Sequence, residues 1–260
     1  MSFRACIVVP VYNHATQARA LVERLAEFGK PVIIVNDGSG PADSEILKGL
    51  AQEHATVSLF ERPANGGKGA AVKDGLKEAS RRDFSHALQI DADGQHDVND
   101  VPKFLARARS CPDAVITGQP LYDESVPRGR LIARYLTHVW VWVETLSFTI
   151  RDSMCGFRVY PLQSVANLLD GSRLGDRMDF DPEVLVRLSW NGIRIISLPT
   201  RVRYPEGGLS HFRLFEDNLL ITRMHIKLVA GMLWRLPVLL SRKFLPGFTA
   251  DRVKRVSDKP

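Results

Sequence analysis

The sequence is poor in cysteine: Cys6, Cys111 and Cys155 stand apart, with no CxxC pair or other metal-ligand spacing among them. An odd, sparse count excludes a disulfide framework and a thiolate metal cage, and predicts reduced thiols on a cytosolic protein. Long apolar runs are also scarce. The first, Ala5 to Pro10, is too short and too soon cut by proline for a signal peptide. The last, Leu228 to Leu240, falls short of the roughly 20 residues that span a bilayer, and Pro237 is expected to break it. The GxxxxGK(S/T) spacing of ordinary ATPases is absent, although Asn65-Gly66-Gly67-Lys68-Gly69 looks superficially like a phosphate loop. With no repeat, low-complexity tract or clear linker before the tail, residues 1–215 read as one domain and residues 216–260 as an appended tail.

What is present is a chain of 260 residues with 45% hydrophobic content, ample for a buried core, and 25% charged residues, which excludes disorder as the default. The net charge of +6 is unevenly placed. From Arg223 onward nine Lys and Arg face two Asp, a surplus of +7, so the remainder carries −1. An apolar stretch from Asn218 to Leu240, interrupted by Arg223, Lys227 and Arg235, leads into this basic end. The combination predicts an amphipathic interfacial helix with snorkelling cations, drawn to anionic lipid heads at the inner membrane face. A helix packed on the domain with a solvated tail would have the same composition. Nucleic acid is not expected as a partner, since no recognition motif accompanies the tail.

Apolar runs at Ala5–Pro10, Pro31–Val35, Val57–Phe60, His86–Ile90 and Ala114–Gly118 alternate with helical spacings, such as Ala18, Leu21, Val22, Leu25 and Phe28. Such alternation predicts an α/β fold with a doubly wound parallel sheet and ligands at the carboxyl ends of its strands. Beyond Gly118 the pattern changes to a Trp-rich helix after Arg128 and Arg130, a strand near Arg158–Tyr160, a helix from Met178 to Trp190 and a strand at Ile193–Leu198.

Three polar loops fall at predicted strand ends: Tyr12-Asn13, Asn36-Asp37-Gly38-Ser39 and Asp91-Ala92-Asp93-Gly94-Gln95. Two carboxylates one residue apart repel unless a cation lies between them, and a hard divalent ion that also takes substrate phosphate oxygens is the natural partner. A solvated acidic turn has the same spelling. Asp37 suits either a nucleotide's base or ribose or an Asx-turn. Lys68, near a helix N-terminus, can assist a diphosphate. The guanidinium groups of Arg128, Arg130, Arg158, Arg201 and Arg203 are suited to clamping phosphates. Asp179, Asp181 and Glu183 can serve acid–base chemistry or complement a helix dipole, with Asp181 as N-cap ahead of Pro182 at the first helical position.

Taken in order, Val9-Pro10-Val11-Tyr12-Asn13, Val35-Asn36-Asp37-Gly38-Ser39, Asn65-Gly66-Gly67-Lys68-Gly69 and Asp91-Ala92-Asp93-Gly94-Gln95-His96 resemble family 2 glycosyltransferases. Asp152 with Cys155-Gly156-Phe157-Arg158, and Gly208-Leu209-Ser210-His211-Phe212, make the chain most similar to the polyprenyl-phosphate sugar transferases of that family. The resemblance implies a GT-A fold, a Rossmann-like, mostly parallel sheet flanked by helices, here with a C-terminal amphipathic helical tail. It implies a GDP- or UDP-sugar donor contacted by Pro10, Tyr12, Asn13 and Asp37; Lys68, Arg128 and Arg203, by their own chemistry, are expected beside that donor. It also implies Mg²⁺ or Mn²⁺ held by Asp91, Asp93 and Gln95.

The expected reaction inverts the anomeric centre and uses a lipid-linked acceptor. A hydroxyl acceptor would need a base from Asp179 or Asp181, whereas an ionised lipid phosphate would need cations such as Arg158. Glu183 aligns with an acidic residue of the family's acceptor-side helix. His14 replaces the acidic residue that often follows Tyr-Asn, and the loop before Ser210 is longer. The first departure alters the first loop's polar contacts and the second leaves the acceptor open, with the Met178-Asp179-Phe180-Asp181-Pro182-Glu183 run compatible with a subgroup that glycosylates an acyl or polyene lipid. A GT-A-like sugar nucleotidyltransferase and an inactive sugar-nucleotide-binding membrane-surface protein are the other readings.

Overall fold

A computed structural model describes residues 2–122, 126, 128–203 and 213–244. Among the described residues, seven strands form one sheet in the order β3-β2-β1-β4-β6-β5-β7. They are β1 (Ala5–Val11), β2 (Val32–Asn36), β3 (Val57–Glu61), β4 (His86–Gln89), β5 (Val115–Tyr122), β6 (Arg158–Pro161) and β7 (Ile195–Val202). The helices are α1 (Ala15–Ala26), α2 (Pro41–Glu53), α3 (Lys68–Arg81), α4 (Val101–Ser110), α5 (Arg128–Thr145), α6 (Leu162–Gly171), α7 (Phe180–Trp190) and α8 (Leu214–Phe244).

The central strands are apolar along their whole length because both faces are covered. Cys6 and Val8 of β1, with Ile33 and Val35 of β2, point into a core shared with α3, α6 and α7. Ile7, Val9, Ile34 and Leu88 point the other way, onto α1 and α4. This period-two division is what a sheet between two helical layers requires. Burial pushes the Cys6 and Cys155 thiols up to about 12, which leaves both as inert core residues.

The sheet departs from a wholly parallel one at β6, which runs antiparallel to both β4 and β5. Arg158 pairs with Gln89 at the carboxyl end of β4, and Pro161 pairs with His86 at its amino end. The chain thus re-enters the sheet from the carboxyl edge and brings the 146–157 segment to the edge where Asp37 and Asp91 lie.

Two further expectations are corrected. Pro237 sits inside α8 without ending it. The residue whose carbonyl loses a partner, Leu233, is exposed, so water can serve in its place. With the helix unbroken, Phe215–Arg242 is long and apolar enough to cross a membrane by length and composition. Its inner face, with Ile221, Met224, Leu228 and Met232, is packed into the domain core. Asp181 is not the N-cap of α7: the cap position is Asp179, and Pro182 stands third in the helix.

Candidate functional site

β2, β1 and β4 are neighbours in the sheet, so the turns that follow them lie side by side. Asn13 adopts a left-handed backbone (φ 53°). Its side-chain oxygen accepts from Gly40 N–H at 2.9 Å, and its own N–H donates to Ser39 Oγ at 3.0 Å, which ties the first loop to the second. Pro10 and Tyr12 are half-buried beside them. Asp37 is buried and fully engaged: it accepts from Gly66 N–H at 3.0 Å, from Gly67 N–H at 2.9 Å and from the Arg62 guanidinium. Its carboxylate holds the Asn65–Gly69 loop in place. Gly67 is required there, with φ +99° and no room for a Cβ against the Asp176 carbonyl.

That loop launches α3 with Lys68 as its first residue. Lys68 Nζ lies 2.7 Å from Asp91 Oδ2 and 2.7 Å from Asp181 Oδ2, joining the end of β4 to the first turn of α7. Burial alone would lower the Lys68 pKa, but the two carboxylates outweigh it and hold the ammonium firmly charged, above its ordinary range. Burial likewise works to raise Asp91, yet the Lys68 charge leaves it below the usual carboxylate value. Asp93 shifts the other way, raised by burial and then by the negative charge of Asp91. Asp93 Oδ1 accepts from Gln95 N–H at 3.0 Å, an Asx-turn that fixes the Asp91–Gln95 loop. Backbone contacts of Gln95 with Arg203 and of His96 with Val202 fasten the loop to β7.

The residues at this turn fit a divalent cation in one respect above others. Asp91 Oδ1 is buried without a hydrogen-bond partner, a costly arrangement unless a cation or donor meets it. Two carboxylates and an amide oxygen leave several coordination positions for phosphate oxygens and water, as Mg²⁺ prefers. No cluster of three or more His, Cys, Asp or Glu makes a complete protein cage among the described residues.

The opposite wall is built by the 152–158 segment. Asp152 is buried and receives Arg134 Nε at 2.5 Å and Nη2 at 2.7 Å, His138 Nε2 at 3.3 Å, and the N–H groups of Met154 and Cys155. Against the cost of burial, Arg134 holds its carboxyl well below the usual range. Gly156 then passes so close to Asp91 that a Cβ would overlap the carboxylate. Asp152 and the Cys-Gly-Phe-Arg string stand out in the sequence, whereas Arg134, His138 and Arg62 carry no local signal on their own elements.

Arg158, expected as a phosphate clamp, is corrected to an internal strut. It is 0% exposed and donates to the Asp181 carbonyl at 2.7 Å, to the Ser153 carbonyl at 2.5 Å and to Tyr160 Oη at 3.3 Å. Asp181 turns inward to Lys68, Gln89 and Arg158. Glu183 faces elsewhere, accepting from Gly175 N–H and from Arg187, both at 2.8 Å. Asp179 accepts from Arg177 N–H at 3.1 Å, and burial raises its pKa. Arg201 and Arg203 are exposed on and just after β7, and Arg128 and Arg130 fall in the first turn of α5. The side chains of Arg128 and Arg130, and the segment with Ser210 and His211, lie outside the described residues.

Residues 6–165 match the family model described as Glycosyl transferase family 2. The chain belongs to this family and is a glycosyltransferase of GT-A fold. It is 27% identical over 226 residues to a dolichyl-phosphate beta-glucosyltransferase of Trichomonas vaginalis, covering 80% of this chain and 65% of that one. It is 24% identical over 214 residues to a polyprenol monophosphomannose synthase of Mycolicibacterium smegmatis, covering 80% of each. The chain spans about two thirds or less of the dolichyl-phosphate glucosyltransferases it matches. Among solved structures, a Pyrobaculum calidifontis mannosyltransferase in complex with GDP-Man and Mn²⁺ superposes with a TM-score of 0.55 at 14% identity, covering 97% of this chain and 79% of that one. Glucosyl-3-phosphoglycerate synthase from Mycobacterium tuberculosis gives 0.60 at 14% identity, covering 90% and 80%.

Proposed function

We propose that this glycosyltransferase moves a sugar from a nucleotide-sugar donor to a lipid-linked phosphate acceptor, with inversion and with a divalent cation. The observation that carries the reading is the convergence of Asp37, Asp91 and Asp93 on one sheet edge, with the buried Asp91 Oδ1 left unpaired. Relatives named for dolichyl-phosphate and polyprenol-phosphate acceptors support the acceptor class.

Asp91, Asp93 and Gln95 would hold Mg²⁺ or Mn²⁺, which when bound orients the diphosphate and neutralises charge on the departing nucleotide. The Asn13–Gly40 and Asp37–Gly66 ties give the nucleoside a prebuilt floor, with Tyr12 and Pro10 at its margin. Lys68 adds a fixed positive charge beside Asp91, and its helix N-terminus favours the diphosphate. An acceptor phosphate oxygen then attacks the anomeric carbon from the face opposite the diphosphate. Being already ionised, it needs no base. A hydroxyl acceptor is the second reading. It would draw on Asp179, whose raised pKa brings it nearer the working range of a base. Membership of the family takes the place of the nucleotidyltransferase reading.

Purified protein should be supplied with GDP- and UDP-sugars, Mg²⁺ or Mn²⁺, and polyprenyl phosphate or membrane lipid extract. Nucleoside diphosphate release that needs both metal and lipid phosphate is the expected result. Asp93→Ala should abolish it and should also remove bound Mn²⁺ signal by electron paramagnetic resonance. Full activity in Asp93→Ala would sink the metal assignment, and release driven by a neutral lipid alcohol would favour the second reading.

A further inference from the structure

Helices α5 and α8 lie side by side, joined by His225 Nδ1 at 2.6 Å from Glu144 Oε1. Each buries one face: Val141 and Glu144 on α5, Met224 and Leu228 on α8. A helix packed this way on a water-soluble domain carries polar residues on its other face. Here the outer face of α5 presents Ile132, Tyr135, Leu136, Val139, Trp140 and Val143, all between 42% and 64% exposed. Their spacing follows a single helical stripe. Along α8, Leu219, Ile226, Leu233 and Leu240 recur every seven residues, also exposed, with Trp234 86% exposed beside them.

Trp140, itself 48% exposed, packs against α8 with its ring 6.2 Å from that of the buried His225, so the α5 stripe reaches the line along which the two helices meet. Large apolar side chains exposed in register on two packed helices mark an interface. Its charge selects the occupant. Arg223 and Lys227 are exposed next to the α8 stripe, and the chain from Arg223 onward carries a surplus of +7. A second copy would set like charge against like, whereas anionic headgroups supply the opposite charge. Two helices of 18 and 31 residues also span about 27 and 46 Å, long enough to lie along a plane.

We propose that α5 and α8 together form a two-helix platform that rests in the headgroup layer of an anionic bilayer, with α5 supplying half of the apolar contact. The platform is coupled to the site, because Arg134 on the inner side of α5 holds Asp152, whose loop carries Gly156 against Asp91. The inference extends the lipid-acceptor reading and gives α5 a role beyond that of the basic tail.

The test is flotation of the full chain with phosphatidylcholine vesicles, with and without phosphatidylglycerol, for the parent and for Leu136→Glu/Val139→Glu (α5) and Ile226→Glu/Leu233→Glu (α8). All four positions are exposed, so melting temperatures should stay near the parent value. Each double variant is expected to lower partitioning onto anionic vesicles by about tenfold or more. Quenching of tryptophan fluorescence by brominated lipid should weaken in Trp140→Phe. Parent-like binding by the α5 variant, or equal binding to neutral and anionic vesicles, would overturn the proposal. So would a concentration-dependent dimer that the α5 variant disperses while vesicle binding is absent. Nucleotide release on detergent-solubilised acceptor is read separately: its failure with vesicle binding intact would remove the lipid-phosphate function and leave the platform standing.

Discussion

Gly156 and Lys68 show how single residues define this site. Gly156 is the one residue type that lets the 152–158 segment touch the Asp91 carboxylate. Gly156→Ala should displace Asp91, and Mn²⁺ affinity measured by paramagnetic resonance is expected to fall by about tenfold or more, with a modest change in melting temperature. Lys68 is a built-in counter-ion between Asp91 and Asp181. Lys68→Met leaves two buried carboxylates facing each other, a loss on the order of 3 kcal/mol. In a domain of this size that is roughly 6–12 °C in Tm by differential scanning fluorimetry. An unchanged Tm would mean that the carboxylates are solvated in solution.

Among elements, the α5–β6 connection is held by Asp152, Arg134 and His138. The Asp152 pKa lies below its ordinary value of 3.8 because Arg134 outweighs the cost of burial. Its stabilising contribution is therefore full above that value and is lost as pH falls below it toward the lower folded pKa. Asp152→Asn should cost about 3–5 kcal/mol near neutral pH. Urea titrations should also show a shallower dependence of its stability on pH below 4. A variant as acid-sensitive as the parent would move the acid transition to other carboxylates.

At the scale of the molecule, the sheet edge and the α5–α8 surface are linked through Arg134, Asp152 and Gly156, and the charge of the chain's basic end is tested by truncation. A chain ending at Phe244 removes Arg252, Lys254, Arg255 and Lys259 with Asp251 and Asp258. At roughly 1 kcal/mol per basic residue near an anionic surface, it should bind anionic vesicles more weakly and with a smaller salt dependence, while keeping the parent Tm. Undiminished binding in low salt would leave membrane contact to the helices alone.

The strands, most of the helices and the carboxyl-edge loops were legible in the sequence because their signals are local. Ile7–Val9 and Ile33–Val35 are unbroken apolar runs, and glycines punctuate the turns after Asp37 and Asp91. The antiparallel β6 was not legible, since direction depends on the edge at which the chain re-enters the sheet. Nor was the continuity of α8 through Pro237, which depends on an exposed neighbour. By itself the sequence determined the α/β class, the order of the motifs and which carboxylates stand at strand ends. Only the tertiary structure decided which charges meet. Arg62 reaches Asp37 across 25 residues, Arg134 reaches Asp152 across 18 and Gln89 reaches Asp181 across 92. Burial then separates the struts, such as Arg158, from the groups left open at the edge. Hydrophobic periodicity is a property of neighbours along the chain, whereas the cost of a buried charge depends on every element packed around it.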